Sequence, residues 1–240
     1  MPADGPAGDT LIVRYREAGT WRKRSVGNQV LQGRVELPIP PPRLKADWTD
    51  AVLHTQPLAP GDVAPLNLPR ARLRWPDYRL CVQRLADAMD AAGLPGVLRA
   101  TEPALMACRG ARYHLDAERY GAFAFCNLIV QAAPGLDLHF PANGLRMPLE
   151  RGSLVLFDTG QPHAVIDRAR GHFDAADFPE TDDRSLVFLT WELPVAQADV
   201  ARRLGIHLDR AQPTPARQRG GPMWRNGRPA RLCPQTGRWL

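Results

Sequence analysis

Leu136-Asp137-Leu138-His139-Phe140-Pro141-Ala142-Asn143-Gly144-Leu145-Arg146-Met147-Pro148-Leu149-Glu150-Arg151-Gly152-Ser153-Leu154-Val155-Leu156-Phe157 holds three short apolar runs cut by turn formers. Each run is too short for a helix, and Asn143-Gly144 and Arg151-Gly152 supply the backbone freedom that tight reversals need. The same texture extends in both directions. Residues 104–113, 122–131, 164–167 and 185–193 read as further strands, with Pro134-Gly135 and Thr159-Gly160 between them. Many short strands at close spacing predict a mainly β fold, a barrel or sandwich, rather than strands alternating with helices.

Outside this region the texture changes. Residues 77–92 predict an amphipathic helix: Leu80, Cys81, Val82, Leu85, Ala88 and Met89 recur at helical spacing, Pro76 precedes it and Gly93 stops it. Short β segments are expected at 10–15 and 30–37, around a basic turn at Trp21-Arg22-Lys23-Arg24. Pro38-Ile39-Pro40-Pro41-Pro42 reads as an extended connector, and Pro-rich 57–76 as irregular surface structure. A short helix is expected at 195–204, and Trp224-Arg225-Asn226-Gly227-Arg228 carries a hairpin signal. The expected organisation is an N-terminal extension (1–102), a β core (103–194) and a C-terminal tail (195–240).

A hydrophobic share of 44% over 240 residues suffices for a packed core. The net charge of +6 is a property of the tail. Residues 210–240 carry Arg210, Arg217, Arg219, Arg225, Arg228, Arg231 and Arg238 and no acidic residue, leaving 24 basic against 25 acidic residues in the rest of the chain. A nucleic-acid partner is therefore not favoured. No apolar run is long enough to span a bilayer, and Gly/Pro-rich residues 1–10, lacking a basic-then-apolar leader pattern, are expected to be unstructured. Cys81, Cys108, Cys126 and Cys233 are scattered, which predicts reduced thiols in a cytoplasmic protein.

The chemistry-bearing residues fall within the strands. His114 and Asp116 are two apart, so a strand would turn both to one face, and His163 lies 49 positions on, after Gly160-Gln161-Pro162. Two imidazoles and one carboxylate fill one face of an octahedron around Fe(II). The open positions admit a bidentate 2-oxo acid and dioxygen.

Residues 103–193 resemble the Fe(II)/2-oxoglutarate-dependent dioxygenases, particularly their prolyl-hydroxylase-like branch. The resemblance rests on Arg112-Tyr113-His114-Leu115-Asp116, Leu136-Asp137-Leu138-His139-Phe140-Pro141, Gly152-Ser153-Leu154-Val155-Leu156-Phe157, His163-Ala164-Val165, and Arg184-Ser185-Leu186 with Trp191. It implies a double-stranded β-helix (a jelly-roll, cupin-like core) and Fe(II) on His114, Asp116 and His163. It also implies 2-oxoglutarate as cosubstrate, its distal carboxylate gripped by Arg184, and hydroxylation of a small molecule or peptide with release of succinate and CO2. Tyr113 and Asn127, on neighbouring strands, are candidates to hydrogen-bond the cosubstrate. One departure stands out: the basic residue usually follows the second histidine more closely than Arg184, 21 positions past His163. An acidic insert fills the gap, and Arg168 or Arg170 is the alternative anchor.

Each residue also has an ordinary reading: His114 on the surface, Asp116 in a turn, His163 in a loop, His139 satisfied by a neighbour. At the level of the chain, the competing reading is a catalytically idle β-barrel binding nucleic acid or an acidic partner through its Arg-rich tail. A metal cupin of other activity and an AlkB-like demethylase rank lower. A carboxylate at position 116 argues against a halogenase.

Overall fold

The computed structural model describes residues 9–179, 183–209 and 223–240. The first residues, expected to be unstructured, lie outside this set up to position 8, as do part of the acidic insert and Arg210, Arg217 and Arg219 of the tail.

Eight strands build the core: β5 (Ala104–Cys108), β6 (Ala111–His114), β7 (Phe123–Ala132), β8 (Leu136–Phe140), β9 (Leu145–Pro148), β10 (Ser153–Asp158), β11 (His163–Asp167) and β12 (Leu186–Pro194). They form two antiparallel sheets, β10-β7-β12-β5 and β6-β11-β8-β9. The chain steps from one sheet to the other at nearly every turn, only β8 and β9 staying in the same sheet. This is a jelly roll, or double-stranded β-helix: strand spacing predicted a barrel or sandwich, and the resemblance implied this particular form. Strands β3 (Leu31–Arg34) and β4 (Val63–Leu66) widen the first sheet to six, at its two edges.

The larger sheet is buried on both faces, so β12 reads as a near-continuous apolar run. Val187, Leu189, Trp191 and Leu193 pack on its outer face with α1 (Pro42–Asp50), α3 (Tyr78–Ala91) and α5 (Ala198–Leu204). Between the sheets lies a second cluster that includes Ile129, Phe140, Val155, Phe157 and Leu186. Helix α3 buries Cys81, Leu85 and Met89, a stripe narrower than the sequence suggested, and Leu80 faces solvent. It ends where Leu94 N–H returns to the Met89 carbonyl across Gly93 at φ +83°.

Four expectations need correction. Residues 104–113 are two strands, because Gly110 at φ +67° breaks the run and sends β6 into the other sheet. The basic stretch 21–24 belongs to strand β2 (Thr20–Ser25); the turn is Ala18-Gly19, both at positive φ, after β1 (Leu11–Glu17). The strand expected at 30–37 spans only β3. Residues 57–76 are not irregular: Pro65 is tolerated because β4 is an edge strand, and Asn67 caps α2 (Leu68–Arg72) by accepting from Arg70 N–H.

The Asn226-Gly227 hairpin forms as expected, with φ +50° and +77°, between β13 (Met223–Arg225) and β14 (Arg228–Pro229). It extends the β1–β2 pair into a four-stranded sheet. All four cysteines are free thiols, and among the described residues no helix is long and apolar enough to cross a membrane.

Candidate metal centre

His114 ends β6 and His163 starts β11; the two are directly opposed in the antiparallel register, with ring centroids 4.4 Å apart. Asp116 follows β6 and precedes a single helical turn, α4 (Ala117–Tyr120). An aspartate there would ordinarily cap that turn, but its side chain makes no capping bond. Its carboxylate instead faces the imidazoles, Oδ1 3.7 Å from His114 Nε2 and Oδ2 3.5 Å from His163 Nε2. Ligand atoms from the three residues lie within 4.8 Å of one another.

The tautomers follow from the outer hydrogen bonds. His114 Nδ1 is 2.6 Å from the Arg112 carbonyl and His163 Nδ1 is 3.0 Å from the Gln161 carbonyl. A carbonyl only accepts, so each Nδ1 carries the proton and each Nε2 presents a lone pair. Two lone pairs and a carboxylate thus converge with no donor among them. A cation relieves that arrangement, and carbonyl-oriented imidazoles are the usual outer support of a metal site. Burial pushes His163 down to about 4, with His114 adding to the effect, so it is neutral and able to ligate at pH 7.

A buried ion pair fixes the ligand-bearing loops. Arg24 grips Asp158 with two bonds of 2.6 Å, both side chains fully shielded, and its Nε donates to the Gly121 carbonyl. Asp158 also accepts from Gly27 and Gly160 N–H. Thr159 Oγ1 lies within hydrogen-bond reach of both the Tyr120 and Phe123 carbonyls, its own carbonyl accepts from Asp116 N–H, and Gln161 Nε2 donates to the Gly27 carbonyl. Strand β2 therefore ties the segment before His163 to the turn after Asp116. Sequence reading missed this pair, since Arg24 sat in an apparent surface turn and Asp158 at a strand end.

The centre opens into a cavity of about 480 Å³ between the sheets. Asn127 lines it beside Thr190, its cross-strand partner, and Asn127 Oδ1 is buried without a hydrogen-bond partner. Tyr113 does not line it. One residue before His114, it turns to the other face, where its hydroxyl meets His139 Nδ1 at 2.6 Å. His139 is the satisfied histidine of the ordinary reading, and burial lowers its pKa.

Arg184 does not line the cavity either. It precedes β12 and is held by Asp167 Oδ2 at 2.8 Å and the Asp177 carbonyl at 2.9 Å. Burial alone would raise the Asp167 pKa, but Arg184 and the Ala169 and Arg170 amides hold it below the usual range. The two alternative anchors are also paired outside the cavity, Arg168 with Asp137 and Arg170 with Asp174 and Asp177. Among the described residues, the cationic side chain that lines the cavity is Arg119 on α4, which sequence reading did not single out.

No family model and no curated protein matches the sequence. Among solved structures, a Pseudomonas putida prolyl-4-hydroxylase matches with a TM-score of 0.40 and 18% identity, over 69% of this chain and 92% of that one. A ribosomal oxygenase from Escherichia coli gives 0.25 and 11%, over 90% and 51%. A Caulobacter crescentus protein assigned to the 2OG-Fe(II) oxygenase family gives 0.23 and 14%, over 80% and 66%. Likeness at this level does not carry an activity over to this chain.

Proposed function

We propose that this protein is an Fe(II)-dependent dioxygenase that couples hydroxylation of an organic substrate to decarboxylation of a 2-oxo acid. The carrying observation is the convergence of His114 Nε2, His163 Nε2 and the Asp116 carboxylate, tautomers set from behind, at one side of a cavity inside a jelly roll. Bound Fe(II) would supply dioxygen activation and chelate the 2-oxo acid. The chain's own residues do the rest. His114, Asp116 and His163 hold the ion from one face, the Arg24–Asp158 pair keeps their loops in register, and the apolar walls exclude water. Asn127 and Thr190 offer polar groups beside the centre.

2-Oxoglutarate is the cosubstrate that the sequence resemblance implies, with succinate and CO2 as products. Its distal carboxylate needs a cation, and Arg184, the residue the resemblance assigns to it, is held by Asp167 and Asp177 outside the cavity. The alternative of an idle barrel with a binding tail draws no support from Arg225, which pairs with Asp9 and lies over the Trp239 ring.

Anaerobic Fe(II) titration tests the reading. One ion should bind per chain, and Asp116→Ala or His163→Ala should weaken binding by about a hundredfold or more, as expected for loss of one of three ligands. Unaltered Fe(II) affinity in both folded variants would refute the assignment.

A further inference from the structure

The cavity is polar only near the ligand set. Moving along β12, Glu192 and Thr190 lie on the same side as His163, while Phe188 and Leu186 lie further in. Beside these two in the same sheet, Ile129 and Cys108 continue the wall as the cross-strand partners of Phe188 and Leu186, and Leu138 and Val165 line the cavity from the other sheet. Among the described residues, no Arg, Lys or His lines this inner half. The arginine that the resemblance places there, Arg184, is turned out to Asp167 and Asp177. A carboxylate pushed into this half would leave water without a counter-ion or donor, which carries a large penalty. An alkyl or aryl group entering it would gain by burial.

We infer that the 2-oxo acid used here is a monocarboxylate with an apolar tail, branched alkyl or aryl, rather than a dicarboxylate. This rests on the dioxygenase reading and names the cosubstrate class of that same site. The C1 carboxylate and the 2-oxo group remain at the polar end, with Asp116, His114 and His163 as the ion's ligands and Arg119 the nearby cation. The tail occupies the space under Leu186 and Phe188. In the balanced reaction, R–CO–COOH loses C1 as CO2. Dioxygen supplies one oxygen to the new acid R–COOH and the other to the substrate, whose C–H bond becomes C–OH.

The test is anaerobic titration of the Fe(II)-loaded protein with pyruvate, 4-methyl-2-oxopentanoate, phenylpyruvate and 2-oxoglutarate. Heat and the visible band of a chelated 2-oxo acid are both read. At roughly fourfold per buried methylene, 4-methyl-2-oxopentanoate should bind about fiftyfold more tightly than pyruvate. It should also bind at least about tenfold more tightly than 2-oxoglutarate, given the uncompensated second carboxylate. Leu186→Lys should reverse that order by adding a cation to the inner half. Should that variant fail to fold, the wild-type order alone decides. Binding of 2-oxoglutarate as tight as that of the apolar acids overturns the inference, as does binding of Fe(II) with none of the four acids. Failure to bind Fe(II) at all overturns the dioxygenase reading itself, so the two failures are distinguishable.

Discussion

At the scale of single residues, the clustering of His114, Asp116 and His163 was legible in the sequence and its supports were not. The residue types and spacing single out all three, although Asp116 lies past the end of β6, ahead of α4, and not on the strand face expected for it. Arg24 and Asp158 look like surface charges in the sequence, and 134 positions separate them. Removing one partner leaves a buried, unpaired charge. Arg24→Ala should therefore destabilise the fold by about 3–5 kcal/mol in urea unfolding; a change under about 1 kcal/mol would show that the pair is not shielded as described. His163 gives a pH signature in the metal-free protein. Its folded pKa, about 4, lies below the unfolded value of about 6.5, so the unfolded chain takes the proton first. The associated stability is present above about pH 6.5 and is lost as pH falls through 4, amounting to about 3 kcal/mol. Wild type should lose that much more than His163→Gln over this range, read by urea unfolding at each pH. Identical pH profiles would contradict a neutral, buried His163.

At the scale of elements, strand existence was legible and strand partition was not. The run 104–113 looks continuous, yet Gly110 splits it and sets β6, with His114 at its end, in the sheet opposite β5. A Cβ at Gly110 would lie 2.5 Å from the Phe178 ring. Gly110→Ala should cost about 2–4 kcal/mol, combining positive-φ strain with overpacking. Gly144→Ala, at φ +69° in open space, should cost only about 1 kcal/mol. Equal costs in urea unfolding would mean that Gly110 is merely a turn glycine. The faces of Tyr113 and Arg184 belong to this scale too. Two-residue alternation already opposes Tyr113 to His114, whereas Arg184 shares the parity of Leu186 and Phe188. Only the start of β12 at Leu186, with Asp167 and Asp177 nearby, explains why it leaves the cavity.

At the scale of the whole molecule, two apolar layers divide the labour. Helices cover the outer face of the larger sheet, and the inner layer is left to hold the cavity. The Pro-rich first third obscured this in the sequence, because β3, β4 and α1 join the core through edges and caps that carry little periodicity. Leu85 lies in the outer layer, fully buried on α3. Leu85→Ala should cost about 2–5 kcal/mol in stability and leave Fe(II) affinity within about twofold of wild type. Coupled loss of both would mean that the layers are not independent.

The proposed chemistry depends on one metal ion among His114, Asp116 and His163. The most direct measurement is anomalous diffraction at the iron edge from crystals grown anaerobically with Fe(II). A single strong peak should appear between the two Nε2 atoms and the Asp116 carboxylate. Ordered density for all three side chains with no peak among them would rule out a metal centre at these residues.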